Sequence, residues 1–491
     1  MRLLLLFLVA LSPTNAFLFK SIINNQNKEV EYSKFCIKLF KSYCRVNSKS
    51  YSNPEEHNYR FNIFLENFEK AAKPLSLEDL KEKLIIKDDR ILLIKKEGKC
   101  GMRMNLNQFM DMTDEEFKTY HLMGKEFFDE EKYKPVSRIV DEQDGKETVV
   151  EIEDDFDPVD EVLKFEQKIG VTPHDPVNFT KNIKRQGFEF TVTVKAVNTI
   201  KNLYIKSNQK KEEQAEENDD SDFECIVDET EEKMSMSFPH SFGERRLQQA
   251  RVHEKFRNYP FKEYKMIGGV KLPVYLNWEK IINMTPVKDQ GKCNSCYAFS
   301  AMTAVEAHNN LVHDGYETFS EQEILDCSHK NKHCVGGQPF MVFDYIISNG
   351  ITHDRYYPYR ARKSSCRAYG NRAPKFNKLK GYVFAKKGMV NLIKALQYGP
   401  VVVVMYASEN LKYYYDGLFE GQGCYGQQVN HSALLYGYNF NARVPYLMIK
   451  NVWGTGWGDR GHFKVKIGSL TNSNRGPCDI ANTPYNVFPV M

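Results

Sequence analysis

Cys296 stands where a thiol can become a nucleophile. It follows a glycine turn at Gly291 and lies at the start of a helix-compatible run from Ser295 to about Leu311. In the first turn of a helix, unpaired amide groups and the positive end of the helix dipole stabilise a thiolate. The sequence therefore predicts a lowered pKa for the Cys296 thiol and nucleophilic chemistry at this position.

Two residues further along the chain could complete such a site. His431 lies 135 residues after Cys296, and Asn451 follows 20 residues later. An imidazole can take up the thiol proton, and an amide side chain can hold that imidazole in one tautomer. A single cysteine beside aromatic residues, or one histidine on an apolar strand, is more commonly part of a core. The interpretation therefore depends on the ordered combination of motifs.

The elements that must position these residues change character at about Leu272. From there glycine, tyrosine and cysteine become frequent, and strand-like segments appear at 401–405, 431–438, 446–450 and 462–467. Apolar and β-branched runs bounded by turn residues are typical of strands. With the helix after Ser295, this pattern predicts an α+β domain at the C-terminal end of the chain.

Several motifs occur in one order and together resemble the papain-type cysteine proteases, of the cathepsin L/falcipain-like group. The resemblance covers residues 273–491 and parts of residues 31–120. The signature of that family is a cysteine with histidine and asparagine roughly 130–150 residues downstream. The motifs are Asp289-Gln290-Gly291, Cys293-x-x-Cys296, the run from Ser320 to Cys327, Gly336-Gly337, Asn430-His431, and Asn451-x-Trp453-Gly454-x-Gly456-Trp457-Gly458.

The resemblance implies a fold and a catalytic role for each matching residue. The fold is a papain-like pair of lobes, one helical and one a β-barrel, preceded by a helical inhibitory propeptide. Cys296 resembles the nucleophile, His431 the general acid/base and Asn451 its orienting partner. Gln290 resembles the oxyanion-hole donor, aimed where negative charge develops. Trp453 is expected to shield the Asn451–His431 hydrogen bond from water.

The same resemblance implies a substrate cleft with an apolar pocket for the second residue before the cut, the S2 pocket. None of its expected residues is acidic, so leucine or valine is expected there above arginine. A shift in the loop from Gly468 to Pro477 would instead bring Asp479 towards the pocket. The expected substrate-binding residues are Gly336, Gly337, Pro339, Val404, Val429, Asn430, Trp453 and Thr483, with Ser432 and Ala433 nearby.

The cysteine count agrees with a secreted enzyme that keeps one free thiol. Seven of the eleven cysteines lie in the last 200 residues, so six could form three bridges and leave one unpaired. A zinc site is disfavoured, because only Cys293 and Cys296 have ligand spacing. By resemblance the bridges are Cys293–Cys334, Cys327–Cys366 and Cys424–Cys478, which leaves Cys296 free.

The N-terminal part is expected to be an inhibitory propeptide of residues 17–120. Glu56, Arg60, Phe64 and Asn67 lie on one helical face and match the long-helix pattern of the family's propeptides. A capping box at Thr113 and Glu116 marks another helix. Asn107-x-Phe109-x-Asp111 resembles the motif that precedes the segment blocking the cleft. Asp111 and a Glu56–Arg60 ion pair suggest activation at acid pH.

The remaining segments are expected to target and connect these parts. Residues 1–16 resemble a secretory signal peptide, with the apolar run Leu3–Leu11 before Ala16. Residues 121–272 are interpreted as a linker or insertion of the prosegment, since 12 of the 25 residues from Gln209 to Lys233 are acidic. The peptidase domain is then 273–491, and activating cleavage is expected between Arg246 and Leu272.

These observations predict a secreted or vesicular cysteine endopeptidase that is made as a zymogen, in a lysosome-like or vacuolar acidic compartment or outside the cell. The net charge of +4 gives no indication of nucleic-acid binding. A monomer is expected, with protein and peptide substrates, no cofactor, no metal and no membrane span in the mature form. Of the three glycosylation sequons, at Asn178, Asn283 and Asn430, the last is expected to stay bare.

Two alternatives stay open. A dipeptidyl exopeptidase of the same family would block one end of the cleft, and the long segment from 125 to 265 could hide such a device. A carboxypeptidase-like loop is disfavoured, because Cys327 and Gly336 are only nine positions apart. A catalytically silent relative would bind proteins through the cleft, but it would be expected to lack Cys296, His431 or Gln290, which are all present.

Overall fold

The structure is a computed structural model of the 491-residue chain. Residues 1–12, which hold most of the predicted signal peptide, and residues 209–258, which hold the acidic run and Arg245-Arg246, lie outside the described residues. The described residues are 13–72, 75–87, 90–93, 103–129, 131–133, 135–143, 146–152, 177–185, 188–197, 200–208, 259, 261, 263–267, 270–368, 373–424, 427–468, 470 and 474–491.

The N-terminal part is largely helical and is built around an aromatic cluster. Phe40 and Phe64 meet with ring centroids 5.1 Å apart, and Tyr43 lies 4.8 Å from Phe64, so the first two helices share one core. The capping box predicted at Thr113 and Glu116 is confirmed at the start of the fourth helix. The helices are α1 Pro13–Val46, α2 Pro54–Ala72, α3 Leu77–Lys83 and α4 Asp114–His121, followed by a 3₁₀ turn at Lys125–Phe128.

The C-terminal part has a long buried helix that carries Cys296 at its first position. The run predicted from Ser295 to about Leu311 is confirmed as a helix from Cys296 to His313, with Ser295 as the N-cap residue. Sixteen of its residues are buried, as expected for a helix with apolar neighbours on all sides. The helices of this part are α5 Cys296–His313, α6 Glu321–Cys327, α7 Pro339–Asn349, α8 Met389–Ala395 and α9 Glu409–Lys412.

The strands cover both parts of the chain. They are β1 Leu84–Lys87, β2 Arg90–Leu93, β3 Arg103–Asn105, β4 Ser137–Gln143, β5 Lys146–Ile152, β6 Val177–Arg185, β7 Phe188–Val197, β8 Ile200–Asn208, β9 Tyr264–Ile267, β10 Val270–Pro273, β11 Tyr275–Asn277, β12 Ile351–Thr352, β13 Lys375–Phe376, β14 Gly381–Phe384, β15 Val401–Met405, β16 Tyr414–Asp416, β17 His431–Asn439, β18 Tyr446–Lys450, β19 His462–Lys466 and β20 Val487–Val490.

One large antiparallel sheet holds the histidine and asparagine of the predicted site. Within the described residues its order is β19-β18-β17-β15-β20-β14-β4-β5, and β11 pairs with β17. Two of the four predicted strands, 401–405 and 446–450, have the observed bounds, and the other two differ by one residue at one end. The α+β architecture is confirmed. His431 is the first residue of β17. Asn451 directly follows the last residue of β18, the strand that pairs with β17.

The N-terminal part joins the C-terminal part by strand pairing at two places. β3 pairs with β16, and β4 adds the hairpin β4–β5 to the edge of the large sheet at β14. β6, β7 and β8 form a separate antiparallel sheet. Following the family resemblance, we call residues 17–152 the prosegment and residues 273–491 the protease domain. Within the described ranges, no helix has the length and apolar character needed to cross a membrane.

Candidate active site

The Cys296 sulfur lies at the junction of helix α5 and the large sheet. Ser300 Oγ and Ser432 Oγ are 2.6 Å apart, which ties the first turn of the helix to the start of β17. Backbone groups of Ser432 and Tyr297 face the thiol. The structure has the three disulfides implied by the family resemblance, Cys293–Cys334, Cys327–Cys366 and Cys424–Cys478, and Cys296 is a free thiol.

His431 has the partner that the sequence assigned to it. Its Nε2 lies 2.8 Å from Asn451 Oδ1, so Nε2 carries the proton and Nδ1 is the free acceptor nitrogen. No described residue forms a hydrogen bond with Nδ1. The Trp453 ring is 4.7 Å from the imidazole and all three side chains are buried, so water is kept from the hydrogen bond. The imidazole is thus held in the tautomer that can accept a thiol proton.

Gln290 presents its amide beside the nucleophile. Its Nε2 donates to Cys293 O at 2.8 Å and lies 3.5 Å from the carbonyl oxygens of Tyr120 and His121. Gln290 is fully buried, and its backbone N–H bonds Val452 O at 2.9 Å. Two prosegment carbonyls therefore lie where an oxyanion donor would meet a substrate carbonyl.

The electrostatics of this closed site differ from the sequence prediction. The helix N-terminus predicted a lowered thiol pKa, but burial raises the pKa of Cys296 to about 12, although backbone hydrogen bonds oppose the change. Burial also lowers the pKa of His431 to about 4, against the hydrogen bond to Asn451. The expectation was wrong for this state, because loss of solvation outweighs the helix dipole. With the prosegment in place, thiol and imidazole are both neutral.

The prosegment crosses the cleft from the Trp453 side to the glycine pair. Phe117 packs edge-on against Trp453 at 5.3 Å, and Thr119 O accepts a 2.8 Å hydrogen bond from Asn294 Nδ2. Further along, Met123 N donates to Asn430 O at 2.7 Å. The chain therefore passes the site on both sides of Cys296.

Beyond the site, Phe127 and Phe128 occupy the far end of the cleft. Gly336 has φ +144°, and a Cβ there would lie 2.5 Å from the Phe127 ring, so glycine is required by both backbone and contact. Gln338 Nε2 donates to Phe127 O, and Phe128 lies 5.9 Å from the Tyr485 ring. Sequence reasoning missed Gln338, for which the neighbouring glycine pair was the only signal.

His121 is a second histidine in the closed cleft, and sequence reasoning also missed it. It ends helix α4, is 3% exposed, and has rings of Phe109 and Phe117 at 4.8 and 5.3 Å. Neither ring nitrogen has a hydrogen-bond partner among the described residues. Burial lowers its pKa to about 3, and the charge that His431 would carry if protonated and the charge of Lys412 act in the same direction. It is therefore held neutral.

Val404 and Thr483, two residues of the predicted substrate pocket, are buried. Val404 lies opposite Ser432 in the register of β15 and β17, and its N–H bonds Asn486 Oδ1 at 2.9 Å. Thr483 Oγ1 accepts from Tyr485 N at 3.2 Å, beside the ring that faces Phe128. Of the other predicted members, Gly337, Pro339, Val429 and Ala433 are also buried, whereas Asn430 is half-buried.

Two residues near the predicted site have partners that the sequence did not indicate. Asp479, the alternative pocket acid, pairs instead with the exposed Arg475, with N–O distances of 2.7 and 2.8 Å. Asn294, which stands between the two cysteines of the Cys293-x-x-Cys296 motif, does not have a positive φ. The Asn294 side chain donates the hydrogen bond to Thr119 O of the prosegment, which explains a polar side chain at this position.

A charged surface beside the cleft also holds the prosegment. Lys412 is fully buried, and its Nζ donates to Met112 O at 3.0 Å and lies 3.5 Å from Asp114 Oδ1. Arg103 pairs with Asp416, and Arg90 donates to the Gly458 and Thr455 carbonyls. We call this set of contacts the charged docking surface. No sequence motif pointed to Lys412, because a lone lysine in a helix is usually solvated.

The acid-sensitive pair expected in the prosegment is arranged differently. Arg60 bonds Glu116 Oε2 at 2.8 Å and Asp111 O at 3.0 Å, whereas the Glu56 carboxylate accepts from Ser52. The Glu56–Arg60 ion pair was therefore a wrong prediction, because Arg60 reaches a half-buried carboxylate and Glu56 stays at the exposed helix start. Asp111 is held by Lys49, Tyr43 and Tyr51 at 2.7–2.9 Å.

Comparisons with known proteins agree with this geometry. A family model described as papain family cysteine protease matches residues 272–488. Mexicain from Jacaratia mexicana is 32% identical over 220 residues, which cover 44% of this chain and 98% of mexicain. Papain from Carica papaya is 33% identical over 233 residues, which cover 47% of this chain and 64% of papain.

Solved precursor structures are similar over prosegment and protease domain together. A recombinant stem bromelain precursor has a TM-score of 0.53 at 20% identity, covering 93% of this chain and 99% of that one. Digestive procathepsin L 3 of Tenebrio molitor larval midgut has a TM-score of 0.52 at 22% identity, with coverage of 93% and 99%. At these identities the likeness concerns the fold alone. With mexicain matched over nearly its whole length, the chain belongs to the papain family of cysteine proteases.

Proposed function

We propose that the chain is the zymogen of a secreted or vesicular cysteine endopeptidase in which Cys296 attacks the peptide carbonyl. His431 accepts the thiol proton and returns it to the leaving amine, Asn451 orients the imidazole, and Gln290 with the Cys296 N–H stabilises the oxyanion. The prosegment acts as the inhibitor. The supporting observation is the pair of prosegment carbonyls at 3.5 Å from Gln290 Nε2, directly beside the buried thiol.

The direct test is loss of the thiol. Cys296→Ala should lower peptide hydrolysis by on the order of 10⁴-fold or more and abolish labelling by a thiol-directed epoxide, while the fold is kept. Cys44→Ala, which removes a free thiol in the prosegment, is the matched control and should keep both peptide hydrolysis and epoxide labelling. Turnover retained by purified Cys296→Ala protein, free of host protease, would overturn the assignment. Labelling of Cys296 without any turnover would favour the silent, protein-binding relative.

Endopeptidase action is favoured over dipeptidyl exopeptidase action by the path of the prosegment. The prosegment passes from Trp453, across Gln290, to Gly336, first as helix α4 and then through the turn at Lys125–Phe128, so it contacts the cleft on both sides of the nucleophile. An internally quenched peptide blocked at both termini tests this. Cleavage of the blocked peptide supports an endopeptidase, whereas activity confined to peptides with a free N-terminus supports the exopeptidase.

We further propose that the S2 pocket prefers leucine or valine. Val404, Val429 and Thr483 offer buried, uncharged surface, and Asp479 is engaged with Arg475. Burying a leucine contributes roughly 1.5–3 kcal/mol, whereas arginine would lose solvation without a carboxylate partner. In a fluorogenic dipeptide series, kcat/KM should favour leucine over arginine by about tenfold or more. Thr483→Asp should narrow that ratio, and arginine preferred by the unaltered enzyme would overturn the pocket assignment.

The cellular setting is part of the proposal. The signal peptide at 1–16, the three disulfides and the zymogen organisation support entry into the secretory pathway and residence in an acidic, lysosome-like compartment or outside the cell. Asn283 is exposed and could carry a glycan. Asn430 uses its side-chain oxygen to bond Ala407 N at 2.7 Å, which supports the expectation that it stays bare. N-terminal sequencing of the secreted mature enzyme tests the domain boundary at 273.

A further inference from the structure

We propose that the outer edge of β14, together with Asp344 of helix α7, is a further docking site for the prosegment, apart from the cleft and the charged docking surface. Its occupant is the β4–β5 hairpin, residues 137–152, and the site retains the prosegment after the chain between the two parts has been cut. The proposal rests on the proposed function as a zymogen and adds an interaction surface outside the active-site cleft.

The backbone contact is a strand addition. Ile139 lies opposite Gly381 and Arg138 opposite Tyr382, so β4 continues the antiparallel order of the large sheet. Phe384 N donates to Ser137 Oγ at 3.0 Å, which closes the end of this ladder. On its other side β14 pairs with β20. Without the hairpin, β14 would present a row of open backbone groups, which is a surface that recruits another strand.

A charge contact fixes the register of the hairpin. Arg138 lies 3.3 Å from Asp344 Oδ1, and the same carboxylate accepts from Tyr382 OH at 3.0 Å and from Lys330 at 2.8 Å. The Asp344 side chain is only 10% exposed, so the arginine meets a largely desolvated acid. A shift of the strand by one residue would turn Arg138 to the opposite face of the sheet and lose this pair.

The hairpin lies directly downstream of the inhibitory segment. Phe128 ends the part of the chain that fills the cleft, and β4 begins at Ser137, so the cleft segment is anchored by β3 before it and by β4 after it. The expected activating cleavage, between Arg246 and Leu272, falls after both anchors. Two linked contacts dissociate together only rarely, because release of one leaves the other in place at high local concentration. A cut there would leave a closed, non-covalent complex.

The test uses the full chain with Cys296→Ala, so that the protein does not process itself, and with a site for a sequence-specific protease inserted after Lys233. After the cut, the two pieces should co-elute in size-exclusion chromatography. Their dissociation is then followed by the exchange of labelled prosegment. Ser137→Ala combined with Arg138→Glu should raise the dissociation rate by about tenfold, since a bond to a backbone N–H and a pair with a buried acid are lost.

Two further proteins make the result specific. Lys146→Glu reverses a charge at the far end of the hairpin, opposite Gln143, and should leave the rate unchanged. Replacing residues 137–152 by a Gly/Ser segment of equal length should reproduce the effect of the double variant or exceed it. Separation of the unaltered pieces immediately after the cut, or a rate within twofold of the unaltered protein in both hairpin variants, would overturn the proposal. Neither result bears on labelling of Cys296 in the uncut chain, which tests the proposed function.

Discussion

Two of the regions in which the prosegment contacts the protease domain use opposite chemistry. In the cleft, aromatic rings and backbone carbonyls cover Cys296, His431 and His121, all of them buried and neutral. On the charged docking surface, Lys412 and Asp416 meet the prosegment through ion pairs and hydrogen bonds. In the proposed zymogen, the cleft region excludes solvent and substrate from the catalytic residues, whereas the charged surface holds the covering segment in place.

Because one region contains a buried neutral histidine and the other contains paired carboxylates, the two regions should respond to acid over different pH ranges. A buried neutral histidine opposes protonation, so docking weakens as soon as the free prosegment can bind a proton. A paired carboxylate keeps its charge until the pH falls below its lowered pKa. Acid activation near pH 5 is therefore expected to start in the cleft, and not in the acidic side chains that the sequence suggested.

The largest expected effect is at His121. The pKa of His121 is about 3 in the docked prosegment, against an ordinary value of 6.5. Below pH 6.5 the imidazole therefore binds a proton in the released prosegment but stays neutral in the docked prosegment. Docking stability is thus full at neutral pH and falls as the pH drops from 6.5 towards 3. Between pH 7 and pH 5 the equilibrium constant for docking of the prosegment therefore falls by about 25-fold. His121→Phe and His121→Gln should both remove this factor from the pH dependence of epoxide labelling of Cys296 in the full chain.

The measurement is a ratio, which separates His121 from the titration of the catalytic groups. The labelling rate of each variant is divided by that of the unaltered chain at the same pH, so effects on Cys296 and His431 that are common to both proteins cancel. His57→Phe, at an exposed prosegment histidine that packs on Phe40 and Tyr51, is the matched control and should give a flat ratio. A flat ratio for both His121 variants as well would show that another group carries the acid response.

The sequence predicted the elements of the protease domain much better than the way in which the prosegment covers its cleft. Cys296, His431, Asn451 and Gln290 stand in motifs whose spacing follows from the elements that carry them, and the helix and four strands around them were placed to within about two residues. Such motifs are local, since a residue beside a glycine turn or at a strand start has its geometry set by near neighbours.

What the sequence could not predict depends on contacts between distant segments. The thiol pKa was expected from the helix dipole, which is local, but it is set by the burial of Cys296 between helix α5, the start of β17 and their surroundings. Helical spacing predicted an ion pair between Arg60 and Glu56. Arg60 instead donates to the carboxylate of Glu116, which lies 56 positions further along the chain. The hairpin at β14 was interpreted as part of a linker, because nothing in residues 137–152 indicates which strand they meet.

A second prediction tests the charged docking surface. Lys412→Met keeps the length and apolar stem of the side chain but removes the ammonium group that bonds Met112 O and faces Asp114. Leaving a buried acceptor unpaired costs about 1–3 kcal/mol, so the labelling rate of Cys296 in the full chain should rise by about tenfold. The rise should be the same at pH 7 and pH 5, because burial, the main cause of the lowered His121 pKa, is kept and the docked imidazole stays neutral at both pH values.

The control for this variant is Lys118→Met. Lys118 lies 3.5 Å from Glu409, and both side chains are more than half exposed, so the pair is expected to contribute almost nothing. Equal labelling rates for Lys412→Met and the unaltered chain would mean that the charged surface does not hold the prosegment, and the contrast between the two regions would fail.

The smallest expected effect is at Asp114, and its pH range distinguishes it from His121. Burial acts to raise the pKa of Asp114, but the hydrogen bond from Lys70 and the charges of Lys412 and Lys70 outweigh it, and the pKa lies below its ordinary 3.8. A carboxylate with a lowered docked pKa stabilises docking above pH 3.8, and the contribution is lost only as the pH falls through the docked value.

Asp114→Asn removes that contribution while keeping the size of the side chain. The labelling rate of Cys296 should rise by about threefold at pH 7 and at pH 5, as expected for partly exposed ion pairs. Below pH 3.8 the variant and the unaltered chain should converge, provided that circular dichroism shows both still folded. A ratio that already falls towards one between pH 7 and pH 5 would place the titration of Asp114 in the range assigned to His121. In that case the carboxylates of the docking surface, and not the cleft histidine, would begin acid release.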